Sequence, residues 1–227
     1  MPVAPEVRQY TTRITGPQME HRTRVKFCGI TRLDDAIEAV KLGVDALGFV
    51  FHDKSPRNIA AAEAQAIIRQ LPPFVSIVGL FVDPDRDTLA AILADVPLDL
   101  VQFHGAETAS ECADLARPYI KAVRMADGVD LTREIDRYVG AQALLIDAFD
   151  EELVGGTGAV FDWSRVPSTL SKPIILAGGL DASNVARAIA TVRPFAVDVS
   201  SGIEKEKGIK DVIKMQQFMQ EVRNIER

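Results

Sequence analysis

Histidine and cysteine are scarce in this chain: its 227 residues hold three of one and two of the other. His21, His52 and His104 are scattered, so no metal-ligand spacing emerges and no metal is expected. Cys28 and Cys112 are too few for a disulfide framework. They fit a reducing compartment, which reads as cytoplasmic. Basic residues are outnumbered as well: 26 Lys and Arg against 32 Asp and Glu give a net charge of −6. That balance lacks the basic footprint that nucleic acid demands, yet it leaves room for a local phosphate site. No apolar run approaches the roughly 18 residues that would span a bilayer, so no membrane partner is expected. Residues 1–23 lack the apolar core of a secretory signal and read as a loose extension, with Met19 as an alternative start. Gly/Ser linkers and low-complexity stretches are missing too, so nothing divides the rest of the chain.

What is present, from residue 24 onward, is a regular alternation of apolar runs and amphipathic stretches. The runs are Arg24–Cys28, Ala46–Phe51, Ser76–Phe81, Leu98–Phe103, Ile120–Val123, Ala143–Ile146, Pro173–Leu176 and Ala196–Val199. Rich in Val, Ile, Leu and Phe and without strict polar alternation, they read as strands buried on both faces. The stretches between them predict helices over Leu33–Leu42, Ala60–Leu71, Pro84–Ala94, Ala106–Ala116, Asp130–Val139, Ser183–Thr191 and Lys210–Val222, with a shorter one over Asp162–Leu170. Asp34 and Asp35 in a first turn and Gly43 past a last one frame the first helix. Pro72 and Pro73 stop the second, and Pro84 suits a first-turn position in the third. Eight sequential strand-helix units predict one α/β domain over 24–227, closed as a (β/α)8 TIM barrel. The alternative, an open doubly wound sheet, would more often carry a glycine-rich dinucleotide turn after its first strand. This chain has CGIT there.

A barrel places its chemistry at the C-terminal ends of its strands. Those ends carry Cys28, Arg57 (in the second loop), Asp83, His104, Arg124, Asp147, Gly178–Gly179 and Ser200–Ser201–Gly202, while the inward strand positions read as mostly aliphatic. A lone cysteine is commonly a small buried hydrophobe. At a strand end before a glycine, Cys28 also reads as a reactive thiol, one that needs an activating environment to act as a base. Asp147 closes the run LLID, where a carboxylate is costly unless paired or functional. It reads as an acid or base, or as a loop cap. Three glycine-rich stretches, 155–158, 177–180 and 200–202, let backbone approach a ligand closely. Two of them follow the seventh and eighth strands, where barrels bind phosphate. Arg57 is either a solvated loop residue or a bidentate partner for a substrate carboxylate. His104 either faces a ligand or bonds within the mouth. From the residues alone, the chain is a phosphate-binding barrel with one thiol and one carboxylate at its mouth.

The stretches VKFCGIT, DALGFVF, KSPRNI, GLFVD, VQFHGAE, LLID, GGTGAVFDW, AGGL and RPFAVDVSSGIE occur in order between residue 25 and about 220. Together they resemble the phosphoribosylanthranilate isomerase family of tryptophan biosynthesis. The usual serine before the paired glycines is Ala177 here. The resemblance implies an Amadori rearrangement of N-(5-phosphoribosyl)anthranilate to 1-(2-carboxyphenylamino)-1-deoxyribulose 5-phosphate. It implies Asp147 as general acid, Cys28 as general base and Arg57 as the holder of the anthranilate carboxylate. Gly156, Gly158, Gly178, Gly179, Ser200 and Ser201 would surround the phosphate, with His104 facing the substrate and Asp198 in support. Donors of the pocket backbone would assist the thiolate. The reaction moves protons internally, so no cofactor is implied; a small phosphorylated substrate is the partner, and the chain would be a monomer or homodimer. Related phosphate barrels fit less well. The histidine-pathway isomerase expects an aspartate where Cys28 stands, and indole-glycerol-phosphate synthase expects catalytic lysines, for which Lys26 and Lys121 are not convincingly placed. A phosphate sensor without turnover would have no use for the Cys28–Asp147 pair.

Overall fold

The computed structural model describes residues 22–113, 115, 117–147 and 162–225. Eight parallel strands close on themselves in sequence order: β1 (Arg24–Cys28), β2 (Ala46–Phe51), β3 (Ser76–Phe81), β4 (Leu100–Phe103), β5 (Tyr119–Arg124), β6 (Ala143–Asp147), β7 (Ile174–Leu176) and β8 (Ala196–Val199). Closure runs through β1, which pairs with β2 (Cys28 beside Gly48) and with β8 (Lys26 beside Asp198). The helices are α1 (Leu33–Lys41), α2 (Ala61–Ile68), α3 (Arg86–Asp95), α4 (Leu131–Arg137), α5 (Val185–Val192) and α6 (Val212–Ile225). A short hairpin, β9 (Glu204–Glu206) and β10 (Ile209–Lys210), lies between β8 and α6. The expected (β/α)8 TIM barrel is the fold. No helix among the described residues is long and apolar enough to cross a membrane.

Successive strand residues point to opposite faces, and the apolar residues sort accordingly. Val25, Phe27, Leu47, Phe49, Leu144, Ile146 and Val197 belong to the large layer between strands and helices. Phe27 meets Phe218 of α6 edge-on, with ring centroids 6.0 Å apart. Burying such a ring contributes about 1.5–3 kcal/mol. The opposite parity fills the barrel interior with smaller residues: Ile120, Ala122, Ala143, Leu145, Ile175, Ala177 and Ala196. That interior is not aliphatic throughout. Lys26 on β1, Gln102 on β4 and Asp198 on β8 share its parity and are buried.

Several expected boundaries move for local reasons. The third helix is capped by Asp85, whose carboxylate accepts from Thr88 N–H at 2.8 Å, so Pro84 precedes the cap and is not in the first turn. The described residues of 106–116 form turns and no helix. Thr108 and Glu111 make a capping box, and Cys112 N–H reaches Thr108 O at 3.1 Å, but Pro118 follows within two turns. In place of a helix, the buried Glu107 carboxylate accepts from the N–H groups of Asp83 and Gly105 and from Lys121 Nζ. Of the shorter helix expected over Asp162–Leu170, a 3-10 turn forms, Trp163–Arg165. Lys210, expected in the last helix, lies instead on β10, where its N–H bonds Asp35 Oδ2 at 3.0 Å.

Candidate active site

The strand parity that fills the barrel also aims the site. Cys28 is two residues beyond Lys26, His104 two beyond Gln102, Asp147 two beyond Leu145, Gly179 two beyond Ala177 and Ser200 two beyond Asp198. Cys28 and Asp147 lie within their strands and face inward by alternation, while His104, Gly179 and Ser200 come just beyond the ends of theirs. Cys28 and Asp147 stand three strands apart around the ring, by way of β8 and β7.

Cys28 is buried at the end of β1. Beside it on β2 sits Gly48, where an added Cβ would lie 2.8 Å from the Cys28 sulfur and 3.1 Å from Lys26 Cε. The missing side chain leaves the space that the thiol and the lysine stem fill. Lys26 Nζ donates to Asp198 Oδ1 at 2.9 Å, and both groups are buried. Burial alone would pull the Lys26 ammonium down, but Asp198 and then Cys28 outweigh it and hold it at about 12. Burial pushes the Cys28 thiol up, Lys26 opposes that, and Asp198 adds to it. Charged assistance to the sulfur comes first from Lys26 and then from Lys210. Asp198, expected in a supporting role, is engaged by Lys26.

Asp147 ends β6 with its side chain 27% exposed. Its Oδ2 lies 3.0 Å from His104 Nε2, and His104 Nδ1 lies 3.0 Å from Gln102 Nε2. An amide nitrogen can only donate. Nδ1 therefore accepts, Nε2 carries the hydrogen, and Asp147 Oδ2 receives it. Oδ1 is the oxygen left to exchange a proton with a ligand. Gln102 Oε1 is buried without a partner.

The loops after β7 and β8 touch. Gly178 and Gly179 have φ of +82° and +64°, which side-chain-bearing residues adopt only with strain. An added Cβ at Gly202 would lie 2.0 Å from Leu180 O, so only glycine lets the two loops meet. Ser200 Oγ, which would lie 3.0 Å from a Cβ added at Gly29 after β1, is buried without a hydrogen-bond partner, a costly state for a hydroxyl unless a ligand supplies the bond. Ser201 opens the 3-10 turn that follows. Gly156 and Gly158 lie outside the described residues.

Arg57, in the loop after β2, is fixed by the hairpin that follows β8. Its Nε and Nη2 donate to Glu204 Oε1 and Oε2, each at 2.7 Å. Lys210 Nζ adds a 3.0 Å bond to Glu204 Oε1 and one of 3.1 Å to Ser200 O. Burial alone would raise the Glu204 carboxyl, but Arg57 and Lys210 outweigh it and hold it below its usual value. The pairing uses one edge of the guanidinium and leaves the Nη1 edge free to form a second fork. The hairpin is thus a brace linking Arg57 to the loop after β8. Asp83, another strand-end residue, accepts from Ala106 N–H at 2.7 Å and serves the fold. Lys26, Gln102, Glu204 and Lys210 were not singled out from the sequence as site residues. The first two were detectable by counting two residues back from Cys28 and His104, and Glu204 by its place in DVSSGIE. Among the described residues, no group of three or more His, Cys, Asp or Glu side chains could hold a metal.

Comparison with known proteins matches residues 25–221 to the family described as PRAI, N-(5'phosphoribosyl)anthranilate (PRA) isomerase. The chain is similar to the N-(5'-phosphoribosyl)anthranilate isomerase of Nitrosococcus oceani, 53% identical over 90% of this chain and 99% of that one. Among solved structures it is similar to phosphoribosyl anthranilate isomerase from Thermotoga maritima, with a TM-score of 0.82, 39% identity and coverage of 89% and 99%. It is also similar to a phosphoribosyl anthranilate isomerase in complex with reduced 1-(o-carboxyphenylamino)-1-deoxyribulose 5-phosphate, with a TM-score of 0.76, 38% identity and the same coverage.

Proposed function

The chain belongs to the N-(5'-phosphoribosyl)anthranilate isomerase family, and from that premise we propose that it catalyses the Amadori rearrangement of N-(5-phosphoribosyl)anthranilate. The observation that carries this reading is a buried thiol and a partly exposed carboxylate, Cys28 and Asp147, on inward positions of one barrel mouth. Asp147 delivers a proton to the furanose ring oxygen. The C1–O bond breaks as the anilino nitrogen lone pair forms a protonated Schiff base at C1. Cys28, as thiolate, removes the C2 proton, and the electron pair neutralises the iminium to give an enolamine. Ketonisation then makes C2 a carbonyl and adds a proton at C1. C2 is oxidised and C1 reduced by two electrons each, so the step balances internally.

The surrounding groups fit these roles. The substrate phosphate sits where Gly178, Gly179, Ser200 and Ser201 converge, and it gives the buried Ser200 hydroxyl its partner. Arg57 offers its free edge to the anthranilate carboxylate, as a second bidentate pair. His104 steadies Asp147 in either protonation state. With the acid proton on Oδ1, facing the ligand, Oδ2 still accepts from Nε2–H, so the contact survives protonation of the carboxyl. The test is turnover by the purified protein, with phosphoribosylanthranilate, the histidine-pathway aminoaldose and the indole-glycerol-phosphate precursor assayed side by side. Turnover of the first alone is expected. Absence of turnover with the first, or preference for either other substrate, would overturn the reading.

A further inference from the structure

The thiol that acts as base is in an unfavourable place. Burial and the Asp198 carboxylate both resist a negative charge on sulfur. Arg57 and Lys210 are the other charged groups facing it, and both are already bound to Glu204. The remaining cation is Lys26, two residues back on the same face of β1, whose stem shares with the sulfur the space that Gly48 leaves open. Its position is fixed twice: by the 2.9 Å bond to Asp198 from β8, and by Gly48 of β2, whose missing side chain leaves room for the lysine stem against the thiol.

We propose that Lys26 is the positioning residue that sets the thiolate fraction of Cys28, and that Asp198 holds the ammonium in place while opposing it at the sulfur. The proposal rests on the reading of Cys28 as the base and deepens it. Held at about 12, Lys26 stays an ammonium throughout the working range, so it cannot itself take the substrate proton and acts only through the sulfur. A second consequence separates this arrangement from a plain structural salt bridge. Two partners of a structural bridge give similar effects when either is removed. Here Lys26 and Asp198 carry opposite charge toward one thiol, so their removal moves it in opposite directions.

The experiment measures the pH dependence of Cys28 alkylation by iodoacetamide, which reads the thiolate without turnover. A Cys112→Ser background removes the other thiol, and circular dichroism checks the fold. Lys26→Met is expected to move the inflection up by about one to three pH units, the range for loss of a neighbouring charge. At pH 8 this slows alkylation at least about tenfold. Lys26→Arg keeps the cation and should return the inflection toward the parent. Asp198→Asn should move it down, and the same ordering should appear in the limb of the kcat/KM profile that belongs to the base. Movement of Lys26→Met and Asp198→Asn in the same direction, or an unmoved inflection in Lys26→Met, would overturn the proposal. Were Lys26→Met unfolded, an upward or absent shift in Asp198→Asn would do so alone. The base assignment is tested separately by turnover of Cys28→Ala: full activity there, with the alkylation shifts as expected, would sink that assignment and leave the Lys26 pairing standing.

Discussion

Replacing Glu204 with glutamine removes one negative charge from a buried cluster of two cations. In the parent its carboxylate accepts from Arg57 Nε and Nη2 at 2.7 Å, from Lys210 Nζ at 3.0 Å and from Gly208 N–H at 3.3 Å. Glutamine keeps one acceptor oxygen and turns an amide nitrogen toward a donor. Arg57 and Lys210 then remain inside without a counter-charge. Breaking a buried pair in this way costs about 3–5 kcal/mol. For a chain of this length each kcal/mol is worth about 2–4 °C, so the melting temperature should fall by roughly 6–20 °C. The effect should also depend on pH. Glu204 is held below the ordinary carboxylate pKa in the folded protein, so its stabilisation is present above the unfolded value of about 4.3. It is lost as pH falls through the folded value, where the parent protonates Glu204 too. Urea unfolding of parent and Glu204→Gln at pH 7, and at several values below 4.3, should give a gap that narrows as the pH falls. Because Glu204 orients Arg57, KM for phosphoribosylanthranilate should rise with kcat less affected. A stability loss below about 1 kcal/mol at pH 7 would place the pair among solvent-screened bridges, and a gap independent of pH would remove the carboxylate charge as its cause.

Cys28→Ala and Asp147→Asn should each lower kcat by about 10²–10⁴ with the fold retained, as for general acid–base groups; steady-state kinetics on folded protein decides, and full activity in either variant removes that residue from the mechanism. Gly179→Val should weaken substrate and inorganic phosphate together, because φ is +64° there and the backbone cannot hold its course without strain. Unchanged phosphate affinity in a folded variant would move the phosphate elsewhere. A chain beginning at Met19 keeps the Arg22 to Asp45 bond of 3.0 Å that ties the start of the barrel. It should match the parent in melting temperature and turnover, and a large drop in either would show that the preceding residues pack on the barrel.

The eight strands were legible because a doubly buried strand announces itself by local composition, and the order of strand and helix admits few closures. The places of Cys28, His104, Asp147 and Ser200 at the mouth were legible because the ends of the strands form it. The absence of a helix among the described residues of 106–116 was not, since the apolar pattern there suits a helix and the turns that replace it are held by Lys121 of β5 and by Asp83 after β3. The sequence by itself determined the strand parity, and with it which side chains enter the mouth, because alternation along a strand is a local property. The partners of those side chains were decided only by tertiary structure. Lys26 and Asp198 are 172 positions apart, and Arg57 and Glu204 are 147 apart. No local pattern distinguishes a lysine bound for a thiol from one bound for solvent. That difference arises when β8 closes against β1 and the hairpin after it folds over the loop beyond β2, in a buried space where a charge without its counter-charge is too costly to keep.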